Sequence, residues 1–175
     1  MTAVFRRLLL LRHAQADRPP HTRDYDRPLS PVGEQEADEI GGYLAQENLL
    51  PELALVSGSL RTRTTWSLVQ KRLPSLVPAI FEDRIYEAHP SVLLETLHGV
   101  SSEPSTILLV GHNPGLHLLA LQLVGRGGRT AYSRLRQEFP PAGLAVIDFE
   151  VAQWSRISGQ SGALERFAVT KSQGF

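Results

Sequence analysis

The chain has 175 residues, of which 42% are hydrophobic and 21% are charged, as is typical of a soluble globular domain. Its 18 basic and 18 acidic side chains give a formal net charge of zero, so we expect neither nucleic acid nor an acidic membrane surface as a partner. Because the chain contains no cysteine, disulfides, thiolate metal sites and cysteine nucleophiles are excluded.

No segment is apolar over the roughly 20 residues that a membrane-spanning helix needs. The leucine run at 8–11 is also shorter than the apolar region of a secretory signal, which has roughly 7 to 15 residues. These patterns predict a cytoplasmic protein that does not enter a membrane, and we expect it to be a monomer.

Apolar runs alternate with segments of helical period along the chain, which predicts an α/β fold. The predicted elements are, in order, a strand at 7–11, a polar loop at 17–28, a helix from Pro31 behind the N-cap Ser30 to about 48–51, a strand at 53–56, a helix at 61–73, a strand at 78–81 and a short helix at 90–98.

The second half of the chain begins with a strongly apolar strand at 106–110, and a helix follows from Pro114. The segment 125–128 is interpreted as a helix stop, because it follows no predicted strand and lacks the lysine of a phosphate-binding loop. Two late strands are predicted at 144–149 and 164–169, and residues 171–175 are predicted to be a frayed tail.

The chain has no internal repeat and no linker long enough to separate two domains. We therefore expect a single domain, 1–175, in which helices flank a mostly parallel central sheet in a three-layer α/β arrangement.

Two histidines follow directly on apolar strands. His13 comes after Arg12 at the end of the first predicted strand, and His112 comes after Gly111 at the end of the strand 106–110. In open α/β sheets the carboxyl ends of the strands are where ligands bind. His112 also precedes a helix, whose first amides and dipole favour an anion. One histidine at such a position is more often structural, but two of them, one beside an arginine, indicate a site.

Arg61 repeats this arrangement at a third strand end. It follows the strand 53–56 and lies at the start of the next predicted helix, from which its guanidinium could reach the edge of the sheet that carries Arg12 and His13. By itself it would be interpreted as a solvated arginine. The three strand ends together indicate a site, and the helix start after His112 favours an anion there.

Three motifs at these strand ends resemble those of the histidine phosphatase superfamily, which includes the cofactor-dependent phosphoglycerate mutases. They are Arg12-His13, the pattern Ser57-x-x-x-Arg61-x-x-x-Thr65, and Gly111-His112-Asn113-Pro114. The short length and the segments 26–30, with Gly33, and 141–146 resemble the SixA-type phosphohistidine phosphatases. The resemblance spans essentially the whole chain and implies a phosphoglycerate mutase-like fold. Two departures stand out: Ala14 replaces the glycine that many members have after the histidine, and the superfamily's proton-donating carboxylate has no secure counterpart.

The resemblance implies that His13 attacks phosphorus in line and becomes phosphohistidine, which water then hydrolyses. Arg12, Arg61 and a protonated His112 would bind the charged phosphoryl oxygens, and a backbone N–H near Asn113 would add to them. His13 must keep one nitrogen free, so an acceptor that the sequence does not identify should hold its other N–H. No metal-binding motif or dense carboxylate cluster occurs, so we expect no metal and no cofactor.

Glu87 is the candidate general acid, because its position roughly matches the acid region of larger relatives. A surface glutamate in a loop is an equally good interpretation. Phosphohistidine leaves through nitrogen, and its ring can already carry a proton near neutral pH, so an enzyme that acts on it does not require a carboxylic acid.

The expected substrate is phosphohistidine on another protein, because the short chain leaves little room for inserted segments that would cover the site. A phosphatase of small phosphomonoesters is the first alternative. A binding module that recognises phosphate without turnover is the second, and a metal-dependent hydrolase is a further one.

Overall fold

The structure, a computed structural model, describes residues 4–173. Its seven strands are β1 (Arg6–Arg12), β2 (Leu53–Val56), β3 (Ala79–Phe81), β4 (Thr106–Gly111), β5 (Val124–Gly127), β6 (Leu144–Phe149) and β7 (Gly162–Ala168). They form one sheet in the order β3-β2-β4-β1-β6-β7-β5. Strand β6 is antiparallel to both of its neighbours, while every other pairing is parallel. The predicted mostly parallel sheet is therefore confirmed.

Five α-helices cover the two faces of this sheet: α1 (Pro31–Gln46), α2 (Leu60–Arg72), α3 (Pro90–His98), α4 (Gly115–Leu123) and α5 (Arg129–Gln137). Apolar residues of α1 and α2 pack on one face, and those of α3, α4 and α5 pack on the other. The chain is thus a single three-layer α/β domain. No helix among residues 4–173 is long and apolar enough to cross a membrane.

The leucine run in β1 explains how one strand connects the two halves of the core. Successive side chains of a strand point to opposite faces of the sheet. Leu8 and Leu10 accordingly belong to the apolar cluster under α3 and α4, whereas Leu9 and Leu11 belong to the cluster under α1 and α2. All four are fully buried. A strand covered by helices on both sides has a continuous apolar sequence, as the residues of β1 do.

The prediction of a helix stop at 125–128 was wrong. Val124–Gly127 is the edge strand β5, which pairs in parallel with β7, and α5 follows directly. Helix α5 could not be predicted because its apolar side is short: within this fully described helix Leu135 alone is buried, and Ala131 and Tyr132 pack against the core only in part. Contacts with β7 and α4 hold α5 in place.

Residues 171–173, which belong to the predicted frayed tail, contact α1. They form a 3-10 turn in which the Lys171 amide donates to Glu39 Oε1 at 3.0 Å and the Gln173 side chain donates to Glu36 Oε1 at 2.7 Å. Gly174 and Phe175, which the same prediction covered, lie outside the described residues.

Candidate active site

Strand register brings the three predicted site segments together. Arg12 of β1 pairs with Gly111 of β4, and Val56 of β2 pairs with Val110 of β4, so the three carboxyl ends lie side by side. A cavity of about 290 Å³ opens at this edge. Its lining includes all six residues proposed from the sequence: Arg12, His13, Arg61, Glu87, His112 and Asn113.

His13 is held by its own loop in an orientation that leaves one ring nitrogen free. Its Nδ1 lies 2.8 Å from the carbonyl oxygen of Ala14, which can only accept, so Nδ1 carries the proton. This carbonyl is the acceptor that the sequence did not identify. Nε2 is consequently unprotonated, and its lone pair is available to an electrophile. The backbone is fixed as well, because the His13 amide donates to Gly111 at 3.1 Å.

His112 faces His13 across the cavity, with 5.2 Å between the ring centroids. Its Nδ1 lies 3.3 Å from Arg61 Nη2, and its Nε2 lies 2.8 Å from Ser57 Oγ. An arginine can only donate, so Nδ1 accepts and the proton of the neutral ring is on Nε2, directed at Ser57. Both imidazoles are therefore within reach of a single tetrahedral anion.

Burial keeps both rings neutral. It lowers the pKa of His13 to about 3, against the raising effect of the bond to Ala14, and the charges of Arg61 and Arg12 lower it further. Burial also lowers the pKa of His112 to about 3, and the charges of His13 and Arg61 are the next largest causes of this decrease. A neutral His13 is what a nucleophile requires. The resemblance implies a protonated His112, however, so this ring must gain its proton together with an anionic ligand.

The two arginines of the site differ in how the protein holds them. Arg61 is 2% exposed and donates from Nη1 to the Asp24 carbonyl at 2.6 Å and from Nη2 to Asp24 Oδ2 at 3.0 Å. Arg12 donates one hydrogen bond, from Nη1 to the Phe139 carbonyl at 3.0 Å. Arg61 is thus fixed before any ligand arrives, while most donors of Arg12 remain available.

Sequence reasoning missed the role of Asp24, which it interpreted as a residue that shapes a turn or an ion pair. Its carboxylate accepts from Tyr86 at 2.6 Å and from Arg27 at 3.2 Å, besides Arg61. The hydrogen bond from Tyr86 is the main reason that the pKa of Asp24 lies far below its usual range. Asp24 therefore stays ionised and orients Arg61. The sequence indicated that Asp24 could form an ion pair but not with which residue, because Arg61 and Tyr86 lie 37 and 62 residues away along the chain.

Glu87 and Asn113 lie at the site with different environments. The Glu87 side chain is 57% exposed, and its Oε1 lies 3.9 Å from Arg61 Nη2, at the mouth of the cavity. Asn113 donates from its side chain to the Phe139 carbonyl at 2.8 Å, the same oxygen that Arg12 contacts. Asn113 thus ties the start of α4 to the segment that positions Arg12.

The loop after His13 is supported by α1. The Gln15 amide donates to Glu36 at 2.8 Å, and its carbonyl accepts from Ser30, whose Oγ also caps Gly33 at 3.0 Å. A Cβ on Gly33 would lie 1.9 Å from the Gln15 oxygen. Only glycine lets the helix approach this loop so closely.

We expect Gly33→Ala to lower the free energy of unfolding by about 1–3 kcal/mol, because the added methyl must push the loop away from α1. Urea unfolding measures this effect. The control is Gly99→Ala, where the new Cβ meets nothing nearer than 3.6 Å. If the two variants were equally stable, α1 and the loop would not be in this contact.

Taken together, the charges that line the cavity favour an anion. Four arginines, Arg12, Arg18, Arg27 and Arg61, and two carboxylates, Asp24 and Glu87, line it beside two neutral histidines. The arginines exceed the carboxylates by two charges, which matches a phosphate dianion. Within residues 4–173, no group of three His, Cys, Asp or Glu side chains is placed to hold a metal ion.

The sheet order and the helices on its two faces define a phosphoglycerate mutase-like fold, as the resemblance implied. The chain belongs to the histidine phosphatase superfamily (branch 1), whose family model matches residues 8–98. It is similar to an uncharacterised protein of Mycobacterium tuberculosis, 32% identical over 163 residues that cover 92% of this chain and 100% of the relative. It is also 33% identical to an uncharacterised chloroplastic protein of Arabidopsis thaliana, covering 71% of this chain and 62% of that protein.

Solved structures resemble the chain over nearly its whole length. A proposed phosphohistidine phosphatase SixA from Agrobacterium tumefaciens is 29% identical with a TM-score of 0.80, covering 94% of this chain and 98% of the other. A protein described in the same way from Nakamurella multipartita is 26% identical with a TM-score of 0.81, covering 95% and 97%. These likenesses confirm the SixA-type resemblance, and membership of the superfamily supports phosphatase activity.

Proposed function

We propose that this protein is a phosphohistidine phosphatase that works through a phosphohistidine intermediate on His13. The observation that carries the proposal is the free Nε2 of His13, fixed by the bond from Nδ1 to the Ala14 carbonyl and facing His112 across an arginine-lined cavity. The SixA-type structural neighbours point to the same chemistry.

The reaction has two steps. In the first, the Nε2 lone pair of His13 attacks phosphorus while the bond to the substrate nitrogen breaks and the substrate ring leaves with the proton that it already carries. Arg12 and Arg61 bind the phosphoryl oxygens. As the anion binds, Arg61 Nη2 transfers its hydrogen bond from His112 Nδ1 to a phosphoryl oxygen, and His112 takes a proton from solvent on Nδ1 and donates a charge-assisted hydrogen bond to the same group. In the second step, water attacks phosphorus, the bond to Nε2 breaks, and orthophosphate keeps both hydrogens of the water, while His13 returns to the neutral form with its proton on Nδ1.

The Glu87 carboxylate at the mouth favours a phosphohistidine over an ester. Its Oε1 lies 3.9 Å from Arg61 Nη2 and its side chain is largely exposed, whereas the charge of Asp24 is compensated by Arg61 and Arg27. A protonated phosphoimidazole ring carries a positive charge, which Glu87 attracts, whereas the alcohol part of a phosphomonoester is neutral.

The test compares kcat/KM for a phosphohistidine peptide with kcat/KM for glycerol 3-phosphate. Each value is divided by the kcat/KM of the His13→Ala variant for the same substrate. We expect the peptide to be hydrolysed far faster. Equal rates would support the alternative of a phosphatase of small phosphomonoesters. Binding of both compounds without turnover would make the protein a phosphate-recognising module.

Glu87→Gln should lower kcat/KM for the phosphohistidine peptide about two- to fivefold and leave 4-nitrophenyl phosphate unchanged. The effect is small because Glu87 is largely exposed, so solvent and salt screen its charge. The difference should therefore shrink in 1 M salt. The control is Glu95→Gln, an exposed glutamate that pairs with Arg84 outside the cavity.

The same variant tests the role of Glu87 as a general acid. A proton donor matters most for a poor leaving group. If Glu87→Gln lowered glycerol 3-phosphate hydrolysis by more than about 100-fold, Glu87 would be a general acid and not an electrostatic guide.

A further inference from the structure

A second cavity, of about 600 Å³, lies at the β5 edge of the sheet, between β5 and α5. It is about twice as large as the candidate active site and shares no lining residue with it. Sites for small organic ligands are typically concavities of roughly 300 to 1,000 Å³, and this cavity falls within that range.

One face of α5 lines the cavity. Arg129, Tyr132, Ser133 and Arg136 have the spacing i, i+3, i+4 and i+7, so their side chains lie on one side of the helix. Leu135 faces the core instead. Ala131 packs on the core beside Leu135, so α5 offers the cavity its polar and basic face.

The charge of the cavity is positive. Arg126 joins Arg129 and Arg136 in its lining, and no Asp or Glu among residues 4–173 lines it. Arg126 pairs with Glu150 at 2.8 Å, but both side chains are more than half exposed, so the pair is weak. Arg129 and Arg136 make no ion pair or hydrogen bond within the part of the chain that the structure describes.

The opposite wall is built from Gly125 and Gly127 of β5. A Cβ on Gly125 would lie 1.9 Å from the Gln160 carbonyl oxygen and one on Gly127 would lie 2.8 Å from Leu164 Cβ, so these glycines let β5 pack closely on the segments beside it. Gln160 contributes an amide that can donate or accept a hydrogen bond. The half-buried ring of Tyr132 provides an apolar surface between the arginines.

We propose that this cavity binds an organic phosphate of nucleotide size. Guanidinium forks bind phosphate oxygens, the Tyr132 ring contacts the organic part, and the Gln160 amide and Ser133 hydroxyl pair with its heteroatoms. Orthophosphate alone fills only a small part of 600 Å³, so the organic part contributes to binding. A concave site of this size also distinguishes a small ligand from a protein surface, which would be flatter and larger.

The experiment is a titration of the full chain with ADP, without divalent metal, followed by ¹H–¹⁵N NMR and calorimetry. The amides of Gly125, Gly127 and Gly128 report on this cavity, and the amide of Gly111 reports on the candidate active site. We expect shifts of the first three at low ADP concentration. In the double variant Arg129→Gln/Arg136→Gln we expect the Kd for these shifts to rise at least about tenfold.

The matched control is Arg84→Gln/Arg156→Gln, which removes the same charge at two exposed arginines outside the cavity. It should bind ADP like the wild type. Equal Kd values in both double variants, or shifts confined to the amide of Gly111, would overturn the proposal. Pyrophosphate that binds as tightly as ADP would also overturn it, since the organic part would then contribute nothing. None of these readouts depends on turnover.

Discussion

His13→Ala should abolish the covalent phosphoenzyme and lower kcat/KM for a phosphohistidine peptide by at least about 10³-fold. The reason is geometric: the Ala14 carbonyl binds Nδ1, so Nε2 is the free lone pair beside the arginines, and alanine removes it. Trapping in an alkaline detergent quench with a ³²P-labelled phosphodonor measures the intermediate. Label on the wild type should survive alkali and be lost in acid, as expected for a phosphoramidate.

His21→Asn is the control for this experiment, because His21 is exposed and asparagine tolerates its left-handed backbone, φ 61°. It should label like the wild type. Labelling of His13→Ala to the same extent would refute His13 as the nucleophile. In that case another group lining the cavity would have to carry the phosphoryl group.

Arg61→Ala should lower kcat/KM by about 10²- to 10³-fold, the usual effect of removing one charged donor that stabilises a transition state. Arg61 is fixed by Asp24 and reaches His112, so its charge is placed before the substrate binds. Steady-state kinetics with the phosphohistidine peptide measures the effect. Arg61→Lys should restore only part of the activity, because lysine keeps the charge but not the planar fork.

Arg63→Ala is the matched control, since Arg63 lies in the same turn of α2 but is exposed and does not line the cavity. It should keep the activity of the wild type. Because Arg61 is buried, urea unfolding of each variant separates a loss of stability from a loss of catalysis. A folded Arg61→Ala protein with unchanged kcat and KM would contradict the assignment.

Helices and strands of this fold could be predicted from the sequence wherever their buried residues recur with a regular spacing. The run Leu8–Leu11 is buried on both faces, so it is apolar without interruption, and the strand at 106–110 has the same property. Ser30 and Pro31 marked the start of α1 because capping is a local interaction. Strand β5 and helix α5 could not be predicted in this way, because β5 is an edge strand and most residues of α5 are polar.

The sequence by itself determined which residue types follow three apolar strands: Arg12-His13, Arg61 and His112. Their meeting at one site could be predicted from the sequence, because the carboxyl ends of parallel strands lie at the same edge of a sheet whatever the details of packing. Only the tertiary structure decided how these groups are oriented. The carbonyl of Ala14 selects the free nitrogen of His13, and Asp24 with Tyr86 fixes Arg61. Burial, which no local pattern encodes, lowers the pKa of both histidines.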